Sequence, residues 1–274
     1  MGNEPNMLST VAPWDMVAEG YSRTTKEMLG NYSREAIQRI KPSKESHLLD
    51  VACGPGTLSL LASSQVAKVM AVDFSKNMVE IFQGEIESSG IQNIEVGHGD
   101  GQNLKFAGNN FDHAFSMFGL MFFPDRERGF SELHRTLKPG GTALVSSWAP
   151  IDQSPAMLTM FGALKAMNPE ISKPETAINS LENPEVFEKE LKNAGFKDIT
   201  IQTVTKDFPV KSIPEFWEGM VEGSAPIVMM KNKMGIDEWK EKEKLAFAYL
   251  EEVLPPTPSI LSSDAWFGFG RKSS

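Results

Sequence analysis

The chain has 274 residues, 41% of them hydrophobic and 23% charged, ordinary values for a globular protein that exclude collagen-like, coiled-coil and disordered chains. Its 36 acidic against 27 basic residues leave a formal charge of −9, which repels phosphate backbones and anionic membrane surfaces and argues against nucleic acid and lipid as partners. One cysteine excludes an internal disulfide and a thiolate metal cluster, and no stretch reaches the ~18 uninterrupted apolar residues of a membrane span. A cytoplasmic protein with no membrane insertion and no metal is therefore expected.

In chain order, residues 11–40 show helical spacing, with Val17, Tyr21, Met28 and Ile37 among polar neighbours until Lys41-Pro42 stops the pattern. This is a helical N-terminal cap. SHLLDVACGPGT then reads as a buried strand running into a glycine turn, and LSLLASS as a helix. KVMAVDFS is a second strand, residues 77–89 a helix, NIEVGHGD a third strand and FDHAFSMFG a fourth. Residues 126–137 form a helix that the glycines of LKPGG end, and TALVSSWAP is a fifth strand. Strand and helix alternate through 47–148 at lengths suited to right-handed crossovers, so the fold class is α/β: a Rossmann-like parallel sheet with helices on both faces.

After Pro150 the texture changes. Residues 151–182, with Pro155, Pro169 and Pro174, suggest an irregular helical insertion; residues 183–194 form a helix capped by Asn183 and stopped by Gly195. FKDITIQTVTKDF follows as a strand, 213–253 is helical again, and residues 263–271 make a final strand. WKEKEKLAFAYLEEV puts Trp239, Ala246, Leu250 and Val253 on one stripe, which leaves its charges as a solvated face. The whole of 1–274 is read as a single domain, with 151–182 and 213–253 as helical lid insertions.

The chemistry concentrates at the strand ends. Strand-to-helix glycine loops let backbone approach a nucleotide-like ligand at the carboxyl edge of a sheet. Here the turn runs Asp50-Val51-Ala52-Cys53-Gly54-Pro55-Gly56-Thr57, and Asp73, 19 residues after Gly54, ends the next strand where it can accept both hydroxyls of a ribose. Pro55 has no N–H to offer a pyrophosphate and Asp50 would repel one, so a cationic ligand suits the turn better. Asp100 ends the third strand, placed for an exocyclic amine, with Gly101 and Gln102 beside it. Any one of these acids could be a mere loop cap; three on one sheet edge point to a site.

LLDVACGPGT, AVDFSKNM, GDGQNL, FDHAFSMFGL and ELHRTLKPGG, in this order and spacing, resemble the successive motifs of class I S-adenosylmethionine-dependent methyltransferases, closest to the small-molecule group resembling ubiquinone/menaquinone C-methyltransferases. The resemblance covers about residues 47–148 and implies a seven-stranded sheet with an antiparallel last strand and S-adenosyl-L-methionine across its carboxyl edge. Ala52 stands where the family usually has its first glycine. The resemblance further implies Asp50, Ala52, Cys53, Gly54 and Gly56 in the cofactor turn, with the two glycines against the methionine and ribose parts. It puts Asp73 on the ribose, Asp100 on the adenine amine with Gly101 and Gln102 beside the ring, and Phe74 and Met78 as apolar walls. Ser116, Met117 and Phe118 fall near the amino-acid tail and sulfonium, and Tyr21 closes over the cofactor.

A methyl on a sulfonium is already activated, so in-line placement of the acceptor matters more than acid or base catalysis. No general base is assigned. His47, His113 and His134 read as structural, and His98, two residues before Asp100, is the weak candidate for touching substrate. The Asn/Asp-Pro-Pro-aromatic run of adenine amino methylation is absent after the fourth strand, and Cys53 is misplaced for thiolate attack on cytosine. Phe118, Met121, Phe122 and Trp148 are expected to wall an apolar acceptor pocket, covered by the segment after Pro150 and by helices around residues 216–230. The acceptor would be a small, largely hydrophobic molecule. Three other readings stay open: a catalytically inert S-adenosylmethionine-binding regulator, a nicotinamide oxidoreductase lacking its third glycine at Ser59, and a methyltransferase acting on RNA or protein, which the pI of about 5.1 disfavours.

Overall fold

A computed structural model describes residues 7–171 and 180–274; Pro174 of the expected insertion lies outside the described residues. The apolar runs read as strands become β1 (His47–Val51), β2 (Lys68–Asp73), β3 (Ile94–His98), β4 (Phe111–Met117), β5 (Leu137–Trp148), β6 (Lys197–Val210) and β7 (Ser259–Arg271). Among the described residues they form one seven-stranded sheet in the order β3-β2-β1-β4-β5-β7-β6, in which β7 is antiparallel to both neighbours. β1 is buried over four of its five residues, as a strand covered on both faces must be.

Adjacent side chains face opposite sides of the sheet, and this sorts two cores. Leu48, Phe115 and Leu144 join Tyr32, Ala36 and Phe82 of α1 (Ala12–Ile40) and α3 (Lys76–Ser89) on one face. Leu49, Ala114 and Val145 join Phe130, Leu133, Phe187 and Leu191 of α4 (Arg126–Thr136) and α6 (Pro184–Asn193) on the other. α2 (Thr57–Ser63) follows the glycine turn. β1 leads outward to β2 and β3, whereas β4 lies on its other side, so the chain reverses direction across the sheet between β1 and β4. That reversal opens a crevice at the carboxyl ends of these strands.

Three local expectations change. α4 ends at Thr136 with Leu137 already extended, so the glycines of LKPGG do not cap it. Instead Lys138 to Gly141 bulge out between the β4–β5 pairs Phe111–Leu137 and His113–Thr142, with Gly140 at φ 78°. The helical stretch 213–253 breaks into α7 (Ile213–Gly223), α8 (Ala225–Met234) and α9 (Ile236–Val253), because Pro226 restarts the helix after Ser224 and Gly235 turns at φ 84°. Val253 is 44% exposed at the end of α9, and Leu254 is buried in its place. α5 (Pro155–Met167) forms the described helical part of the first insertion and packs on α9; with α7 these helices share a third core around Trp217, Trp239, Ala246 and Leu250.

Candidate functional site

A cleft of about 240 Å³ opens over the carboxyl ends of β1 to β4. Its floor is Ala52 and Gly54 after β1, Asp73 and Phe74 after β2, Asp100 to Gln102 after β3, and Met117 to Gly119 after β4. Met78 of α3 closes one side, and Trp14 and Tyr21 of α1 stand across from Phe122 and Phe123. A smaller cavity of about 40 Å³ adjoins it on the α1 side, lined by Asp50, Cys53, Ser33 and Thr57 and sharing Tyr21 and Gly54 with the cleft.

The glycine turn owes its shape to left-handed backbone at alternate positions: Ala52 at φ 56°, Gly54 at 53° and Gly56 at 83°. Glycine reaches this region without cost, whereas alanine does so at on the order of 1 kcal/mol. Ala52 is accommodated because residue 119 is glycine; a Cβ there would lie 2.3 Å from the Ala52 Cβ. Phe118 is also left-handed, at φ 55°. Two buried hydroxyls pin this turn: Ser146 Oγ accepts the Phe118 N–H at 2.9 Å and Ser116 Oγ accepts the Leu120 N–H at 3.1 Å.

The acids are fixed by backbone donors. Asp73 is 6% exposed and accepts the N–H groups of Gly54 (2.8 Å) and Ser75 (2.9 Å), one on each carboxylate oxygen. Burial pushes its pKa up to about 6, against the pull of those two N–H bonds and with a further push from Asp15. Asp50 is 1% exposed and accepts the Ser59 hydroxyl at 2.6 Å. Burial raises it to about 7, with Ser59 pulling down and the Asp73 charge pushing up. Asp100 is exposed; its Oδ1 accepts the Gln102 N–H at 2.8 Å and the Gln102 side-chain amide at 3.0 Å. The Gln102 amide oxygen in turn accepts the Asp125 N–H, so this amide is held on both sides. Gly101 has no room for a side chain: a Cβ would meet the Phe123 ring at 2.6 Å.

The structure thus gathers Tyr21, Ala52, Gly54, Asp73, Phe74, Met78, Asp100, Gly101, Gln102, Met117 and Phe118 on one cleft, and Asp50 and Cys53 on its side cavity. Other expected site residues lie outside both walls. Gly56 faces the Phe82 ring, which a Cβ would meet at 2.1 Å, so it serves packing. Ser116 is fully buried and spends its hydroxyl on the loop. His98 bonds the Phe74 carbonyl at 3.0 Å through Nε2. Of the expected acceptor walls, Phe118 and Phe122 line the cleft, whereas Met121 packs into the cores and accepts the Ser147 hydroxyl. Trp148 stacks behind Phe118 with centroids 4.1 Å apart. The expected roof is displaced too: α7 and α8 pack on α1, and α1, 29 residues long, comes between them and the cleft.

Comparison with known proteins bears on the fold and on its strand-end core. A methyltransferase domain family model matches residues 48–141. That stretch runs from β1 into β5 and holds the strand-end acids and the glycine turn. A demethylmenaquinone methyltransferase from Staphylococcus epidermidis is 36% identical over 113 residues, which are 40% of this chain and 46% of that protein; the chain thus spans about half the length of the curated relatives it matches. A putative methyltransferase from Bacillus halodurans C-125 superposes with a TM-score of 0.57 at 19% identity, over 88% of this chain and 99% of that one. A phosphoethanolamine N-methyltransferase 2 from Haemonchus contortus, in complex with phosphomonomethylethanolamine and S-adenosylhomocysteine, gives 0.55 at 20%, over 89% and 53%. At such identities these two likenesses concern the fold.

Several residues that line the cleft were not among those expected from the sequence. Trp14 packs against Phe122 at 5.2 Å and edge-on to Tyr21 at 6.2 Å; its spacing of seven from Tyr21 was the available signal, since i and i+7 share a helix face. Ser9 and Pro124 carried none. Tyr32 also escaped notice: it is fully buried, donates to the Ser263 carbonyl at 2.6 Å, and backs Phe118 and Trp148 edge-on.

Proposed function

We propose that this protein binds S-adenosyl-L-methionine and transfers its methyl group to a small, largely hydrophobic acceptor by direct in-line displacement, the chain acting as a single domain. The observation that carries the reading is the cleft's lining: two carboxylates, Asp73 and Asp100, with Trp14, Tyr21, Phe118 and Phe122, and no lysine or arginine among the described residues. Such a wall suits a ligand that is positively charged and partly apolar and disfavours a phosphate. The residues fit the cofactor in detail. Gly54 and Gly101 let backbone come close, Asp73 offers oxygens to a ribose, and Asp100 and Gln102 offer polar edges to an adenine. Asp50 and Cys53 border the side cavity, which suits the amino-acid tail.

When bound, the cofactor supplies a methyl group on a positively charged sulfur, already activated for transfer. The chain's own residues then orient and exclude. Phe118, fixed by Ser146 and backed by Trp148 and Tyr32, presents a rigid aromatic face beside the glycine turn. Phe122, Phe123 and Trp14 keep water from that side. Among the described residues no three His, Cys, Asp or Glu gather as a metal site, and no side chain on the cleft is assigned a proton-transfer role. The relatives' demethylmenaquinone activity supports an apolar aromatic acceptor, and no described helix is long and apolar enough to cross a membrane. Release of S-adenosylhomocysteine across a mixed library of quinols, phenols and polar metabolites tests this. Methylation confined to apolar acceptors is expected; activity only on polar or polymeric acceptors would refute it.

A further inference from the structure

The first turn of α1 carries Asp15 directly after Trp14, and its carboxylate leaves the helix to meet the loop after β2. Asp15 Oδ1 accepts the Ser75 hydroxyl at 2.5 Å. Ser75 is fully buried and turns its other groups the opposite way: its backbone N–H donates to Asp73 Oδ1 at 2.9 Å, and its Oγ accepts the Met78 N–H as the N-cap of α3. Asp73 Oδ2 in turn accepts the Gly54 N–H at 2.8 Å. One continuous run of hydrogen bonds therefore joins α1, which brings Trp14 and Tyr21 over the cleft, to the acid at the end of β2 and to the glycine turn. A second joint lies beside it, where the Asn77 side-chain amide donates to the Asp15 carbonyl at 2.9 Å.

We propose that Asp15 is a positioning residue for the cofactor, its carboxylate setting, through Ser75, both the orientation of the Asp73 carboxylate and the seat of Trp14 and Tyr21 against the bound ligand. This rests on the cofactor site proposed above. Ser75 has one hydroxyl proton and gives it to Asp15; without that acceptor the hydroxyl turns, the 73–75 turn loses its side-chain bond to α1, and the aromatic pair loses one of its ties to the cleft floor. The helix itself stays in place. It remains joined to α3 through Asn77 and packed on α2, α7 and α8, so loss of the carboxylate acts on ligand affinity before it acts on folding.

Calorimetric titration of the intact protein with S-adenosylhomocysteine tests the relay. Asp15→Ala is expected to weaken binding about tenfold, the size of one charge-assisted hydrogen bond, and Asp15→Asn, which keeps an oxygen acceptor, to recover to within about threefold of wild type. In a Ser75→Ala background the relay is already cut, so adding Asp15→Ala is expected to change the dissociation constant less than about twofold. Arg23→Ala, which breaks the exposed Arg23–Glu222 pair between the same helix and α7, is expected to leave affinity unchanged, separating the relay from general loosening of α1. An unchanged constant in Asp15→Ala, no recovery in Asp15→Asn, equal weakening by Arg23→Ala, or independent effects of Asp15→Ala and Ser75→Ala would each overturn the proposal. Wild-type protein that binds no S-adenosylhomocysteine would overturn the cofactor reading and the relay together, whereas wild-type binding with any of the four variant results just named removes the relay alone.

Discussion

Asp50 is a carboxyl sealed under the glycine turn, and its replacement by asparagine makes a quantitative prediction. Burial moves its pKa from 3.8 to about 7. A group whose folded-state pKa is raised contributes stability that is complete below its unfolded value and is lost as pH rises through the folded value. The loss therefore runs from about pH 4 to about pH 7, and of it about 2 to 3 kcal/mol falls between pH 5 and pH 8, at about 1.4 kcal/mol per pH unit. The amide introduced by Asp50→Asn would keep an oxygen for the Ser59 hydroxyl but has no proton to lose. Thermal unfolding of ligand-free protein should show the wild type losing more stability than Asp50→Asn between pH 5 and pH 8, a difference of about 5 °C in midpoint for a chain of this size. Asp73, raised to about 6, titrates in both proteins, and its repulsion with the Asp50 charge is part of the difference between the two curves. Parallel pH curves for wild type and variant would refute the account of Asp50 as a buried, costly carboxylate.

Three further outcomes follow. Gly119→Ala would drive a Cβ to 2.3 Å from that of Ala52, costing on the order of 2 kcal/mol by overpacking; Ala52→Gly in the same chain should restore most of it in denaturant unfolding, and independent effects would contradict the packing described for this pair. Asp73→Ala removes charge-assisted bonds on the order of 1.5 to 3 kcal/mol, so S-adenosylmethionine affinity should fall roughly 10- to 150-fold; an unchanged constant rejects the ribose assignment. Tyr32→Phe strips the hydroxyl from the Ser263 carbonyl and should lower stability by about 1 to 2 kcal/mol while leaving S-adenosylhomocysteine affinity as it is, since Tyr32 backs Phe118 from outside the cleft; a large loss of affinity would place it nearer the ligand.

The central strands β1, β2 and β4 were legible because they are short apolar runs that end beside acids or glycines. β1 to β4, the Asn183 cap and the Gly195 stop appear where the pattern put them. The bulge at Lys138 to Gly141 was not legible, since glycine after a helix serves a cap and a bulge equally well and only pairing with β4 decides between them. At the site, strand-end residues were found because chain position fixes them. Trp148 and Met121 were misjudged as walls because composition cannot tell which face of a strand end or loop looks into a cleft: Trp148 turns to stack on Phe118, and Met121 turns into the cores. The roof was misjudged for a tertiary reason, as α1 occupies the position that the later helices were expected to take, and those helices brace it from outside.

The most direct measurement is calorimetry of the intact protein against S-adenosylmethionine, S-adenosylhomocysteine and a nicotinamide dinucleotide, side by side. Saturable one-to-one heat with both sulfur compounds and none with the dinucleotide is expected. Absence of heat from both sulfur compounds, or a response to the dinucleotide alone, would contradict the proposed cofactor site.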